Sequence, residues 1–169
     1  MKKIIIGADH AGFDLKEAIK SFLAEADWEV VDQGTFDRSP VDYVDFGGPV
    51  AMAVATGSFS RGILVCGSGV GMTIIANKFP GVRAVLGLDE EMACLSRTHN
   101  DTNILALAGR RTDENKAMAI LTGWLTTPFE GGRHQQRLDK IGQWEQKILN
   151  DGTCILRQAQ DERTSTDSG

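Results

Sequence analysis

Apolar positions along this chain alternate between two spacings. Short runs rich in Val, Ile and Leu occupy residues 2–6, 28–32, 62–65, 83–88 and 103–106, and such bounded runs predict buried strands. Between them, apolar residues recur at helical spacing. Over 14–26, Leu15, Ala18, Ile19, Phe22 and Leu23 fall on one face, the stripe of an amphipathic helix. Further helices are predicted over 44–56 (despite Gly47, Gly48 and Pro49), 70–78, 90–97, 112–126 and 133–150. Strands that alternate with helices predict an α/β fold, a five-stranded parallel sheet covered on both faces. Ligands of such sheets bind beyond the carboxyl ends of the strands.

One junction stands out. In RGILVCGSGVG, residues 61–71, an apolar strand delivers Cys66 into a loop holding Gly67, Gly69 and Gly71. Glycines let backbone N–H groups converge, and the following helix start adds partial positive charge. The loop is thus suited to hold negative charge beside a thiol. The carboxyl-end rule adds Asp9, His10 and Gly12 after the first strand. The polar cluster His99, Asn100 and Asp101 follows the fourth helix and is expected in the same crevice. GSGVG also invites a dinucleotide reading, with Asp89 as the ribose-binding acid. Met72, however, stands where the third fingerprint glycine belongs, and the loop follows the third strand rather than the first.

Composition narrows the classes. A chain of 169 residues with 41% hydrophobic and 24% charged positions is an ordinary globular domain. Its net charge of −5 does not suit nucleic acid or an anionic membrane as main partner. No apolar run approaches the ~18 residues of a membrane span, and the N-terminal run is too short for a signal peptide. The three cysteines, Cys66, Cys94 and Cys154, form no metal or disulfide spacing, so a reducing cytoplasm is the expected setting. The expected organisation is one domain over 1–150 and a disordered polar tail over 151–169.

Four segments carry a resemblance: GADHAGFDLK (7–16), VCGSGVGMTIIANKFPGVRA (65–84), LSRTHNDTNILALAGR (95–110) and FEGGRHQQRL (129–138). Together, in this order, they resemble the RpiB/LacAB sugar-phosphate isomerase family. The resemblance implies a three-layer Rossmann-like sandwich whose C-terminal helix takes part in dimerisation. It also implies an aldose–ketose isomerase converting ribose 5-phosphate and ribulose 5-phosphate through a cis-enediolate, without metal or cofactor. By that resemblance Cys66 is the base, Gly67 to Gly71 (with Ser68, Gly69 and Val70) form the oxyanion hole, and His99 is the acid that opens the ring. Asp9 and Asn100 would hold sugar hydroxyls. His10, Arg133 and Arg137 would clamp the phosphate, the two arginines four apart on one helix face. Tyr43 would line the site.

The resemblance further implies a homodimer or homotetramer, with both arginines reaching the site from the neighbouring subunit. One branch of the family has a glutamate just after the last loop glycine; here Met72 occupies it and Cys66 is present, which marks the cysteine-type branch. Taken singly, these residues read more plainly: Cys94 as a core thiol, Arg133 and Arg137 as a solvated face, His-Asn-Asp as turn chemistry. Two alternatives stay open. One is an allose or galactose 6-phosphate isomerase; the other is a non-catalytic sugar-phosphate sensor, which would need neither Cys66 nor His99.

Overall fold

The computed structural model describes residues 2–166, with side chains through Asp151. The elements run β1 (Lys2–Ala8), α1 (Phe13–Glu25), β2 (Trp28–Asp32), α2 (Tyr43–Ala55), β3 (Gly62–Cys66), α3 (Val70–Ala76), β4 (Ala84–Leu86), α4 (Glu90–Asn100), β5 (Ile104–Ala108), α5 (Glu114–Thr126) and α6 (Arg133–Thr166). The strands form one parallel sheet in the order β2-β1-β3-β5-β4. The chain up to Gly131 makes one compact unit, and from Gly132 on α6 makes another.

Strand side chains alternate between the two faces of the sheet, and both faces are apolar here. Ile4, Ile6, Ile63, Val65, Leu105 and Leu107 pack under α1, α4 and α5. Ile5, Leu64, Ile104 and Ala106 pack under α2 and α3. These are the three layers expected from the sequence. Gly47 in α2 has a packing cause. A Cβ on Gly47 would stand 2.7 Å from Ile75 and 2.9 Å from Met72, so glycine lets α2 approach α3 closely. The tail expected over 151–169, Cys154 included, has its side chains outside the described residues beyond Asp151.

Helix α4 continues through His99 and Asn100, three residues past its expected end. Asp101 then terminates it in the left-handed region (φ 44°), which an aspartate tolerates better than most residues. At the other end the Asp89 carboxylate accepts the Met92 N–H at 2.8 Å. Asp89 is therefore a helix cap, not the ribose ligand that the glycine pattern invited.

A buried ion cluster joins α1 to the loop after β2. The fully buried Lys16 donates to Asp32 at 2.5 Å, and Lys20 does so at 2.6 Å. The other Asp32 oxygen accepts the Gly34 N–H at 2.9 Å. Burial alone would raise the Asp32 pKa, but these donors outweigh it and hold the carboxyl below its ordinary range. A folded-state pKa depressed in this way stabilises the fold above the unfolded value and is lost as pH falls through the folded one. The thermal midpoint should therefore hold steady from neutrality down to about pH 4 and fall below it. In Asp32→Asn the decline contributed by this group should vanish, which thermal scans across the acid range would detect.

Candidate active site

The strand order reverses at β1, whose neighbours β2 and β3 are reached in opposite directions, and open α/β sheets bind ligands at such a point. A pocket of about 470 Å³ opens there, at the carboxyl ends of β1 and β3. It is lined by Asp9, His10, Ala11, Tyr43, Cys66, Gly67, Ser68, Gly71, Arg110 and Arg111.

Cys66 ends β3 and is 4% exposed. Its sulfur accepts the Gly69 N–H at 3.2 Å. Gly69 makes this turn with φ 74°. A Cβ there would also stand 2.4 Å from Leu86, so only glycine fits. The next glycine serves a different neighbour: a Cβ on Gly71 would sit 2.8 Å from the Tyr43 ring. Glycine thus lets Tyr43 lie flat against the loop. The Ser68 hydroxyl accepts the Val70 N–H at 3.4 Å.

The β1 side is held as firmly. One oxygen of Asp9 accepts the Ala11 and Gly12 N–H groups, both at 2.9 Å, which leaves the other available to a ligand. His10 Nδ1 lies 3.1 Å from the Val41 carbonyl oxygen and 3.2 Å from the Val41 nitrogen. When Nδ1 accepts from that N–H, Nε2 carries the proton and can donate into the pocket. The Asp32 cluster steadies the same loop through Gly34, whose carbonyl accepts the Ala8 N–H at 2.6 Å.

The structure thus brings together Asp9, His10, Tyr43, Cys66, Gly67, Ser68 and Gly71. Gly69 stands behind them as a donor to Cys66, and Val70 opens α3 on the exposed side. Arg110 and Arg111 were not anticipated. They follow β5 directly, where the Gly109 and Arg110 N–H groups bond the Cys66 and Gly67 carbonyls at 2.8 and 3.2 Å. The carboxyl-end rule applied to β5 would have found them, since Gly-Arg-Arg begins one residue after its last member.

His99 and Asn100 are a correction. The strands are parallel, so a helix between two of them must return to the amino ends of the sheet. Both residues lie at that end, before β5 begins. There the Asn100 carbonyl accepts from Arg83 Nε at 3.0 Å, and Asp101 binds Arg83 at 2.8 Å and Arg97 at 2.7 Å. Cys66 is paired with Ala108 at the far end of β5, about 13 Å along that strand. Within one chain, His99 and Asn100 therefore do not enter the Cys66 pocket. Arg133 and Arg137 are exposed, one turn apart on one face of α6.

A family profile described as Ribose/Galactose Isomerase matches residues 4–141. The chain belongs to this family. Ribose-5-phosphate isomerase B of Escherichia coli K12 is 48% identical over 147 residues, covering 87% of this chain and 99% of that protein. The solved ribose-5-phosphate isomerase B of Clostridium thermocellum superposes with a TM-score of 0.85 at 49% identity, covering 86% of this chain and 99% of the other. The Mycoplasma genitalium enzyme, solved with bound ribulose-5-phosphate, superposes with a TM-score of 0.82 at 40% identity over 85% and 96%. As a family member the chain is an isomerase with the Rossmann-like sandwich that the four sequence segments implied.

Proposed function

We propose that the chain interconverts D-ribose 5-phosphate and D-ribulose 5-phosphate, the isomerisation of the non-oxidative pentose phosphate pathway. The observation that carries this reading is the Cys66 sulfur, held by the Gly69 N–H at the edge of a pocket with Asp9, His10 and two arginines. The names of the relatives agree with it. Once the ring is open, the Cys66 thiolate takes the proton from C2 of the aldose. The electron pair moves into a C1–C2 double bond and leaves negative charge on O1, which the loop amides stabilise. Cys66 then returns its proton to C1, and O2 passes its proton to O1, giving the ketose. No electron leaves the sugar, so the chain's own acid–base groups suffice for every step.

His99 is the ring-opening acid of this proposal and Asn100 a hydroxyl ligand. Both stand at the wrong end of their own sheet, so a second copy supplies them, as it supplies Arg133 and Arg137. The working unit is a homodimer, alone or paired into a tetramer. Exposed apolar side chains around the edge strand β4, among them Val70, Ile74, Leu88 and Met92, suit a partner of the same kind. Cys66 must stay a thiol to act, which favours the reducing cytoplasm.

The phosphate sits with His10 and the partner's clamp helix, away from the loop amides that receive the enediolate oxygen. A six-carbon phosphate is longer by one CHOH unit and must fit the same pocket. The pentose should be preferred in kcat/KM by about tenfold or more over allose 6-phosphate, measured in a coupled assay. Equal or reversed preference would favour the hexose reading. Binding of both sugars with no turnover would favour the sensor.

A further inference from the structure

The amino ends of β1 and β2 carry a second cleft, of about 730 Å³, larger than the isomerase pocket at the opposite end of the sheet. Three cations line it, Lys2, Lys3 and Arg61, and no carboxylate does. That is notable in a chain of net charge −5. Its wall is apolar and aromatic, made by Phe22, Trp28 and Leu125.

Arg61 is the informative member. It is half-buried, lies 5.3 Å over the Trp124 ring, and donates from Nη1 to the Leu125 carbonyl at 2.8 Å. Among the described residues it forms no ion pair. Burial, and then the charge of Arg97, push its pKa below the ordinary value, with Asp101 opposing. A partly desolvated cation without a direct ion pair gains from an anion that reaches it. Lys2 likewise has no carboxylate partner among the described residues and stands 5.6 Å over Trp28. Lys3 points to the opposite face of β1, where it lies 5.5 Å over Phe59 and pairs with Glu29 at 2.8 Å.

Cations on one side and aromatic rings on the other suit a ligand that is anionic at one end and flat and apolar at the other. The volume lies in the range of pockets that enclose a ligand of nucleotide size. We propose that this cleft binds a nucleoside phosphate, its phosphates on Arg61 and Lys2 and its base against Phe22 and Trp28.

ADP titrated into the full chain while tryptophan fluorescence is followed tests this, since Trp28 lines the cleft. A nucleotide also contains a phosphorylated ribose, so the titration is run with ribose 5-phosphate at saturation. Saturable quenching should persist under that condition. Adenosine and inorganic phosphate should each bind at least about tenfold more weakly than ADP. Lys2→Gln should weaken ADP by a similar factor and leave isomerase kcat unchanged, which also reports that the fold is intact. Arg61→Lys, which keeps the charge but not the fork, should weaken it further. Three results would each overturn the proposal: no saturable quenching at millimolar ADP, quenching abolished by ribose 5-phosphate, or quenching indifferent to the Lys2 and Arg61 substitutions. Quenching abolished by ribose 5-phosphate would put ADP in the sugar-phosphate pocket.

Discussion

Cys66→Ala is expected to lower kcat for ribose 5-phosphate by roughly 10²–10⁴-fold, the range a positioned general base supplies. The substitution removes only Sγ, which accepts one hydrogen bond, from Gly69. The loop keeps its glycines, and the Asp9 and His10 contacts do not involve the sulfur. Affinity for a non-reacting sugar-phosphate analogue should thus change little, while turnover nearly disappears. A fall in kcat without a matching rise in KM is the signature of a group that acts in the transition state. Should the variant turn over at the wild-type rate, another base moves the C2 proton.

His99→Ala is expected to cost a comparable factor, roughly 10²–10⁴, although His99 stands at the opposite end of its own sheet from Cys66. Several groups other than the imidazole fix the corner that carries it. Asp101 is gripped by Arg83 and Arg97, and Arg97 also donates to the Thr102 carbonyl at 2.6 Å. Trp124 Nε1 donates to the Thr102 hydroxyl at 2.9 Å beneath it. The thermal midpoint should therefore stay near that of the wild type. Supplying the open-chain aldehyde form faster, by raising temperature or by a substrate that cannot cyclise, should restore part of the lost rate to His99→Ala and none to Cys66→Ala. A purely structural histidine would lower the thermal midpoint and show no such difference.

Most of the architecture is legible in the sequence because both faces of the sheet are buried, so each strand is a continuous apolar run between turn residues. The Cys66 loop is legible because positive φ at Gly69 and the Tyr43 contact at Gly71 leave glycine as the residue that fits. Two features escape such reading. The helix α4 leads into a parallel strand, so its end at His99 and Asn100 lies at the amino edge of the sheet, which the carboxyl-end rule does not reach. Proximity in a list of polar residues therefore misplaced them. Arg110 and Arg111 escaped for the converse reason: two charged residues in a turn look like solvated surface until the pairing of β5 with β3 brings Arg110 beside Gly67 and Arg111 to the same pocket. Gly47 reads locally as a helix breaker, yet its role is the close approach of α3, a tertiary cause outweighing propensity.

In the proposed enzyme, Cys66 of one copy works with His99 of another. Cys66→Ala and His99→Ala chains, each inactive alone, can be co-expressed with different tags and purified through both. In a mixed dimer one site would contain two wild-type residues and the other would lack both. Random pairing makes half of the dimers mixed, so the unselected mixture should recover about one quarter of wild-type activity and the doubly purified dimer about half. Mixed dimers as inactive as their parents would contradict the shared site.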